Sequence, residues 1–539
     1  MPRRRVVYVG LIVTLLIITW ITCCQDSSQD QKSSIEKVGT ENAEPMEISI
    51  SLWGLGNLAL DDPILEQVEK KLNIKIKQVA ITNTDYVQQY QIWASSGKLP
   101  DIFAVDAISS EYLKNWVKRG VIKALPDDLS AYPYLEEYLS TYEIQYLRID
   151  GKLYSIPRKT YDTLEYDFLD RVVVYRWDLA QKAGITKEPE SWEEFHAMLE
   201  AIISKDPENK QISGLTAVND FLLGGLFWLY GAPAATSDGS GSDFKWIYED
   251  DRYIPAVFSK HAIESLKMVR QFYTSGLIDQ DLPVTRGEMA FDKFAQGKVA
   301  ALISTTAVVT VDNNIYKDRW LKTYPDEKAF YDKVKILKPL PSFDGNRYHA
   351  IFKSFWSESY ISSNADDQKM DRILQLFNYL NTPEFLEMRR FGIKGVDYEK
   401  SGDKITKIYP DEDLFKKYKG MNSIVNLLSW DLMFMLDPSY SHISPQGHQA
   451  QREHVDYSLE TSSTPAFNMQ LTYLSTPTKD SFTIFDSEDM IRVMLSEEPV
   501  EMVWQDIING YKEKGLDTMI EEVNAKAMEL GITQEMSNR

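Results

Sequence analysis

From Glu47 to Trp53 apolar Ile48, Ile50 and Leu52 alternate with polar Ser49 and Ser51, and the run breaks at Gly54-Leu55-Gly56-Asn57. A period of two predicts a strand with one face toward a core. Pro63 to Leu72 carries apolar residues at helical spacing, and Asn73 to Ala80 alternates again. The order strand, loop, helix, strand implies a right-handed crossover in a parallel sheet. Tyr86 to Ser96 predicts a further helix ending near Gly97, and Pro100 to Val105 a short buried strand of the same sheet. Ligands of open α/β sheets lie outside the carboxyl ends of strands, which makes Trp53, Gly54 and Asp106 one candidate site.

Beyond a turn at Asp150-Gly151, Leu153 to Pro157 is extended and leads into Arg158-Lys159-Thr160-Tyr161. Trp192 to Ile203 predicts an amphipathic helix opened by Ser191, with Glu194 three residues on completing a capping box. Ala232 to Ser242 is a small-residue loop, and Lys260 to Ser275, Arg286 to Gln296 and Gln368 to Asn381 predict helices. Lys298 to Thr305 predicts a buried strand, His349 to Phe355 an extended run, and Arg492 to Gly531 a helix pair broken at Gly515. No internal repeat is present. The pattern is α/β, with helices dominating the second half.

The N-terminus has its own pattern. Arg3, Arg4 and Arg5 precede the uncharged stretch Val6 to Ile21, followed by Cys23-Cys24 and a polar run. That stretch spans about 24 Å as a helix, short of the roughly 30 Å hydrocarbon core, so a cleaved signal is favoured over a permanent span or signal anchor. Ile21-Thr22-Cys23-Cys24 resembles a bacterial lipobox, with Cys24 as the lipid-accepting residue and Cys23 the alternative. Cys23 would put Trp20 and Thr22 where the motif expects a branched aliphatic and a small residue. No other cysteine exists among the 539 residues, so the folded body has no disulfide chemistry. Gln25 to Glu44 has almost nothing to bury and reads as a tether.

Composition adds exclusions. With 80 acidic and 59 basic residues the net charge is −21, which repels phosphates and anionic headgroups and argues against nucleic-acid binding. Gly54 to Ala59 matches G-x-G-x-x-A, yet the next helix starts too late to hold a pyrophosphate and Asp61 and Asp62 would repel one. His442, His448 and His454 recur every six residues, which spreads them around a helix, and Pro445 and Gly447 interrupt the segment; no metal site is expected there. Zinc-protease, hydrolase-elbow and P-loop motifs are absent. The 12 Trp, 30 Tyr and 22 Phe offer flat faces suited to sugar rings. Trp53 and Trp228 stand beside glycines that leave room for a ligand, and Trp356 lies near Lys353 and Glu358.

Several segments resemble the extracellular solute-binding proteins of family 1, the substrate-binding subunits of ABC importers. Ser96-Gly97-Lys98-Leu99-Pro100-Asp101-Ile102 is similar to the family's G-x-x-P-D entry into a strand. Asp150 to Pro157 resembles its crossover into the second lobe. Tyr175-Arg176-Trp177-Asp178 with Pro189-Glu190-Ser191-Trp192-Glu193-Glu194-Phe195 resembles the block that follows, and Phe294-Ala295-Gln296-Gly297-Lys298-Val299-Ala300 the return. With Phe377 to Leu380 and Phe391 to Val396, the resemblance runs from about residue 46 to the C-terminus and is strongest to the large Gram-positive lipoproteins.

The resemblance implies a two-lobed periplasmic-binding-protein-like α/β fold of class II type with a helix-rich second lobe. Its expected division is 1–23 signal peptide, 24–45 tether, 46–155 with about 297–347 as first lobe, and about 156–296 with 348–539 as second. Arg158, Thr305 and Trp356 would face the cleft with Trp53, Asp106 and Trp228; a surface ion pair is the alternative for Arg158. The implied function is capture of an oligosaccharide, or a peptide or other polar solute, and delivery to ABC permease subunits and their ATPase. The protein would be a monomer without cofactor or catalysis, lipid-anchored on the extracellular face of the cell membrane. A secreted glycoside-active lipoprotein and a surface adhesin are the rivals. Close relatives often carry a calcium loop after the Trp-Glu-Glu-Phe helix; here Asp206, Glu208 and Asn209 offer too few oxygens for that cation.

Overall fold

The computed structural model describes residues 44–533, apart from 53–60, 83–84, 109, 161–171, 218–220, 234–244, 283–284, 286–287, 305–309, 326–328, 350–354, 410–412, 430–436, 439–441 and 485. Cys23, Cys24, Trp53, Gly54 and Thr305 fall outside the described residues. Met46–Arg539 forms one compact unit. In chain order its strands are β1 (Met46–Ser51), β2 (Ile74–Gln78), β3 (Ile102–Val105), β4 (Ser155–Lys159), β5 (Val172–Arg176) and β6 (Ser213–Ala217). They continue as β7 (Trp246–Glu249), β8 (Arg252–Pro255), β9 (Val299–Ser304), β10 (Val334–Ile336), β11 (Phe355–Ile361), β12 (Tyr398–Ser401) and β13 (Lys404–Lys407).

Two sheets organise the body. The first has the order β2-β1-β3-β11-β4 and the second β10-β5-β9-β6, while β7-β8 and β12-β13 are separate hairpins. β1 pairs in parallel with β2 and β3, as the opening alternation predicts, and the intervening helix is Pro63–Leu72. Asp62 explains where that helix starts. One carboxylate oxygen accepts from Ile64 N and Leu65 N at 2.9 and 3.1 Å, and the other from Gly420 N and Met421 N at 2.8 and 3.1 Å. The carboxylate thus caps two helices, the second being Lys419–Val425.

Each sheet is covered on both faces. On one face of the first sheet Ile48, Ile50, Ile102 and Ile156 pack with Ile64, Val68, Ile373, Phe377 and Ile424; on the other Phe103, Val105 and Tyr360 pack with Tyr90 and Trp116. On the second sheet Tyr175, Leu215 and Ile303 meet Phe195, Leu199, Leu266, Trp504 and Val523, and the opposite face holds Val172, Val174, Leu302, Phe291 and Trp320. The helix from Trp192 extends to Lys205, and Ser191 caps it at Glu194 N. The Glu194 carboxylate accepts from Glu190 N at 2.7 Å. The two C-terminal helices are Val500–Glu513 and Leu516–Glu529, separated at Gly515, whose φ of 105° is left-handed.

Two expectations differ from these pairings. The expected division assigns about 297–347 to the first lobe, with β1 to β3, whereas β9 pairs with β5 and β6, and β10 with β5, in the second sheet. The returning strand is Phe355–Ile361 rather than a run from His349, and it inserts between β3 and β4. Both pairings join residues far apart in sequence, which local periodicity does not encode.

Candidate ligand site at the connected sheet edges

In the first sheet β1, β3 and β4 run one way and β11 the other. The carboxyl ends of β1, β3 and β4 therefore share an edge with the amino end of β11. In the second sheet β6, β9 and β10 run together against β5, so their carboxyl ends share an edge with the amino end of β5. The chain passes from β4 at Lys159 to β5 at Val172, and from β10 at Ile336 to β11 at Phe355. Both passages join these two edges. A third begins at Ser429, which bridges Lys159, and continues to Ser444 at the head of the helix Pro445–Thr461.

Tyrosines and one glutamate lock the first edge. Tyr90 Oη donates to the Ser51 carbonyl at 2.9 Å, and Tyr112 Oη to the Asp106 carbonyl at 2.8 Å. Burial pushes both phenols above their ordinary pKa, for Tyr112 with help from the Asp106 charge. Glu358, fully buried, accepts from Ala107 N at 3.1 Å and Tyr360 Oη at 2.8 Å. Asp106 is half-buried at the end of β3. The third passage is strapped on by Lys159 N to the Leu428 carbonyl at 2.8 Å, Tyr138 Oη to the same carbonyl at 2.5 Å, and Ser359 Oγ to the Leu427 carbonyl at 2.6 Å.

Arg158 is neither a surface ion pair nor exposed to the cleft: its relative exposure is 0%. Its Nε donates to the Asn426 carbonyl and its Nη1 to Ser357 Oγ at 2.7 Å. Burial pulls its pKa down to about 10, against the attraction of Tyr90, Tyr138 and Glu358. The guanidinium carbon lies 5.8 Å from the Trp356 ring centroid. Trp356 is partly buried and packs against the Val172, Val174 and Phe291 cluster of the second sheet. It therefore reaches from a strand of one sheet to the core of the other.

Trp228 has a different setting. It is 3% exposed, edge-on to Phe467 at 6.0 Å, in a cluster with Ile247, Ala256 and Met469. Gly225 and Gly231 beside it are closely packed. A Cβ on Gly225 would lie 2.9 Å from Ile303 Cγ2, and one on Gly231, at φ 88°, 2.7 Å from His261 and Tyr348. Close helix-to-strand approach requires the same residue type as ligand access, so the sequence signal was ambiguous.

His349, His442 and His454 are engaged by neighbouring side chains or buried within the fold. Pro445 opens the helix Pro445–Thr461 instead of interrupting it. Gly447 lets that helix approach Asp312, whose Oδ1 would stand 2.5 Å from a Cβ. His349 bonds Ser462 Oγ at 2.8 Å and Thr464 Oγ1 at 3.2 Å, and with His454 lines a cavity of about 10 Å³. Burial pulls both imidazoles down to about 4. His442 Nδ1 lies 2.9 Å from Asp413 Oδ2. In the loop after Lys205, Asp206 accepts from Lys210 N and Gln211 N, both at 2.9 Å, and Glu208 accepts from the ammonium groups of Lys182 and Lys210, both at 2.6 Å. Among the described residues no group of three or more His, Cys, Asp or Glu is arranged to hold a metal, and no helix is long and apolar enough to cross a membrane.

Sequence reasoning missed Ser357, Tyr138 and Tyr473 at this edge. Ser357 has a left-handed φ of 59° for which its residue type gives no signal.

The polygalacturonan/rhamnogalacturonan-binding protein YtcQ of Bacillus subtilis strain 168 is 21% identical over 353 residues, 64% of this chain and 65% of the relative. The fructooligosaccharide ABC transporter substrate-binding protein FusA of Streptococcus pneumoniae is 26% identical over 234 residues, 40% of this chain and 41% of the relative. The chain thus aligns with less than two thirds of the length of either. In fold it is similar to the alginate-binding protein AlgQ2 without calcium ion, with TM-score 0.68 and 16% identity, covering 90% of this chain and 98% of that one. FusA of S. pneumoniae in complex with kestose gives TM-score 0.67 and 15% identity, covering 90% and 99%. These neighbours establish the two-lobed solute-binding fold. The pattern of the bacterial extracellular solute-binding proteins matches residues 57–385, and the chain belongs to that family.

Proposed function

We propose that this protein is the substrate-binding lipoprotein of an ABC importer, capturing an oligosaccharide between the facing carboxyl edges of its two sheets and delivering it to the permease. The observation that carries this reading is Trp356, whose strand belongs to one sheet while its ring rests on the core of the other. A sugar stacked there would touch both halves, and contacts available only when the halves close would supply the energy of closure. Asp106 stands at the same edge to accept from sugar hydroxyls. Trp53, two residues beyond the carboxyl end of β1, and Thr305, the residue after β9, are proposed to contribute. Trp228 is proposed as a core residue. The names of the relatives, which bind galacturonans and fructooligosaccharides, support the oligosaccharide class.

The protein is proposed to act as a monomer, to catalyse nothing, and to be held at the extracellular face of the cell membrane through a lipid on Cys24. A thermal-shift screen tests the reading, with kestose and trigalacturonate as sugars and tripeptides as controls. Ligand at about 100 times its dissociation constant adds about 2.7 kcal/mol of stability. A raised midpoint with a sugar, recovered intact by chromatography, is expected. A response to peptides alone, or a cleaved sugar, would contradict it.

A further inference from the structure

Arg158 was expected at the ligand, yet it is fully buried beneath the edge where the ligand is proposed to bind. Its surroundings show what a buried guanidinium does there. Phe355 pairs with Lys159 and Glu358 with Pro157, so β11 advances three residues while β4 advances two. The extra residue is a β-bulge, a device that re-aims side chains beside functional sites. Ser357 sits inside the bulge with a left-handed φ of 59°, uncommon for a residue other than glycine. The surrounding structure must hold it there, and Arg158 Nη1 bonds its hydroxyl at 2.7 Å. The same guanidinium binds the Asn426 carbonyl and lies 5.8 Å from the centroid of the adjacent Trp356 ring.

We infer that Arg158 is a positioning residue: through the Ser357 bulge and its contact with the indole, it fixes the orientation of Trp356 as an aromatic platform, without touching the ligand. The inference rests on the oligosaccharide-binding reading for its functional consequence, but its structural half stands alone. One cation sets three things together: the bulge, the indole and, at Asn426, the segment that leads into the third passage. Lysine would not replace it, because a single ammonium cannot present the separate Nε and Nη1 donors that the Asn426 carbonyl and Ser357 hydroxyl use.

The test has two arms, both on the purified protein. In the first, tryptophan is replaced by 5-fluorotryptophan, and the fluorine resonance absent from Trp356→Phe identifies Trp356. Ser357→Ala, whose folding is checked by circular dichroism, removes the hydroxyl and is expected to shift or split that resonance; an unchanged resonance overturns the inference. In the second arm, affinity for kestose and trigalacturonate is measured in a double-mutant cycle. Arg158→Lys and Ser357→Ala are each expected to weaken binding of the sugar that binds by at least about tenfold in the wild type, and by less than about twofold when Trp356 is already alanine. Additive losses would mean that Arg158 acts on the ligand directly and would overturn the positioning role. If the wild type binds neither sugar, the oligosaccharide reading fails, while the fluorine arm still decides the structural claim.

Discussion

Tyr473 stacks on Phe355 with ring centroids 6.3 Å apart and planes at 19°, and its hydroxyl donates to Glu143 Oε1 at 2.8 Å. Tyr473 ends the helix Met469–Tyr473, whose Leu471 belongs to the core of the second sheet, while Phe355 opens β11 of the first. Nearby, Lys114 pairs with Asp480. The C-terminal part of the chain thus reaches back to the half built by its beginning. Glu143 is buried, so losing a hydrogen bond there costs more than at a surface. Tyr473→Phe should lower stability by about 1–2 kcal/mol in urea unfolding while leaving sugar affinity within a factor of two or so. A large affinity loss at unchanged stability would contradict a purely structural contact.

Trp228 and Trp356 separate core from site. Trp228→Ala empties a buried pocket against Phe467 and should cost about 3–5 kcal/mol of stability. Trp356→Ala should instead weaken oligosaccharide binding by about 1–3 kcal/mol with a smaller stability loss, since its ring is only partly buried. Thermal midpoints and titration calorimetry on the same two variants decide between this assignment and its reverse.

Acid should loosen the second half in a defined window. His349 and His454 have folded pKa values pulled down to about 4 by burial, against about 6.5 unfolded. Between these values the unfolded chain binds more protons, so stability is fully present above pH ~6.5 and is lost as pH falls toward 4. The loss is on the order of 3 kcal/mol for His454 once the unfolded imidazole is fully charged. Glu208 adds a second step. Burial tends to raise its carboxyl, but Lys182 and Lys210 outweigh burial and hold it at about 2, so its contribution disappears between its ordinary carboxylate pKa and that value. Urea midpoints at pH 7.5 and 5 should differ for the wild type and differ by less for His454→Gln, which keeps the His349 contribution; an equal drop in both would mean that the His454 imidazole contributes nothing to the acid loss.

The loop from Asp206 to Gln211 is proposed to hold no calcium, because its carboxylates are already engaged by lysine ammonium groups and backbone N–H groups. Chelation with EDTA should leave the thermal midpoint unchanged, whereas Lys210→Ala should lower it. A midpoint that falls with EDTA and returns with calcium in the wild type, but not when Asp206 and Glu208 are both alanine, would show a cation at this loop.

What the sequence made legible was local. Ile48, Ile50 and Leu52 predict β1 because alternation needs only neighbours, and the helix Pro63–Leu72 is announced by Asp62 and Pro63. Sheet membership was not legible: the apolar run Val299–Ser304 suits either sheet, and only its pairing with Val172–Arg176, more than a hundred residues away, assigns it to the second. At the site, Arg158 and Trp356 were found as residues but not as a pair. The bulge that joins them depends on the conformation of Ser357, which serine does not signal. Gly225 and Gly447 show the converse, since a missing side chain reports close approach without naming what approaches.

Titration calorimetry of the wild type and of Trp356→Ala with kestose and trigalacturonate, with the sugar recovered and chromatographed afterwards, decides whether the protein binds an oligosaccharide on Trp356. One molecule of sugar is expected to bind per chain and to be recovered intact, with affinity reduced about fivefold or more in Trp356→Ala. Cleaved sugar, or wild-type binding that Trp356→Ala leaves unchanged, would contradict it.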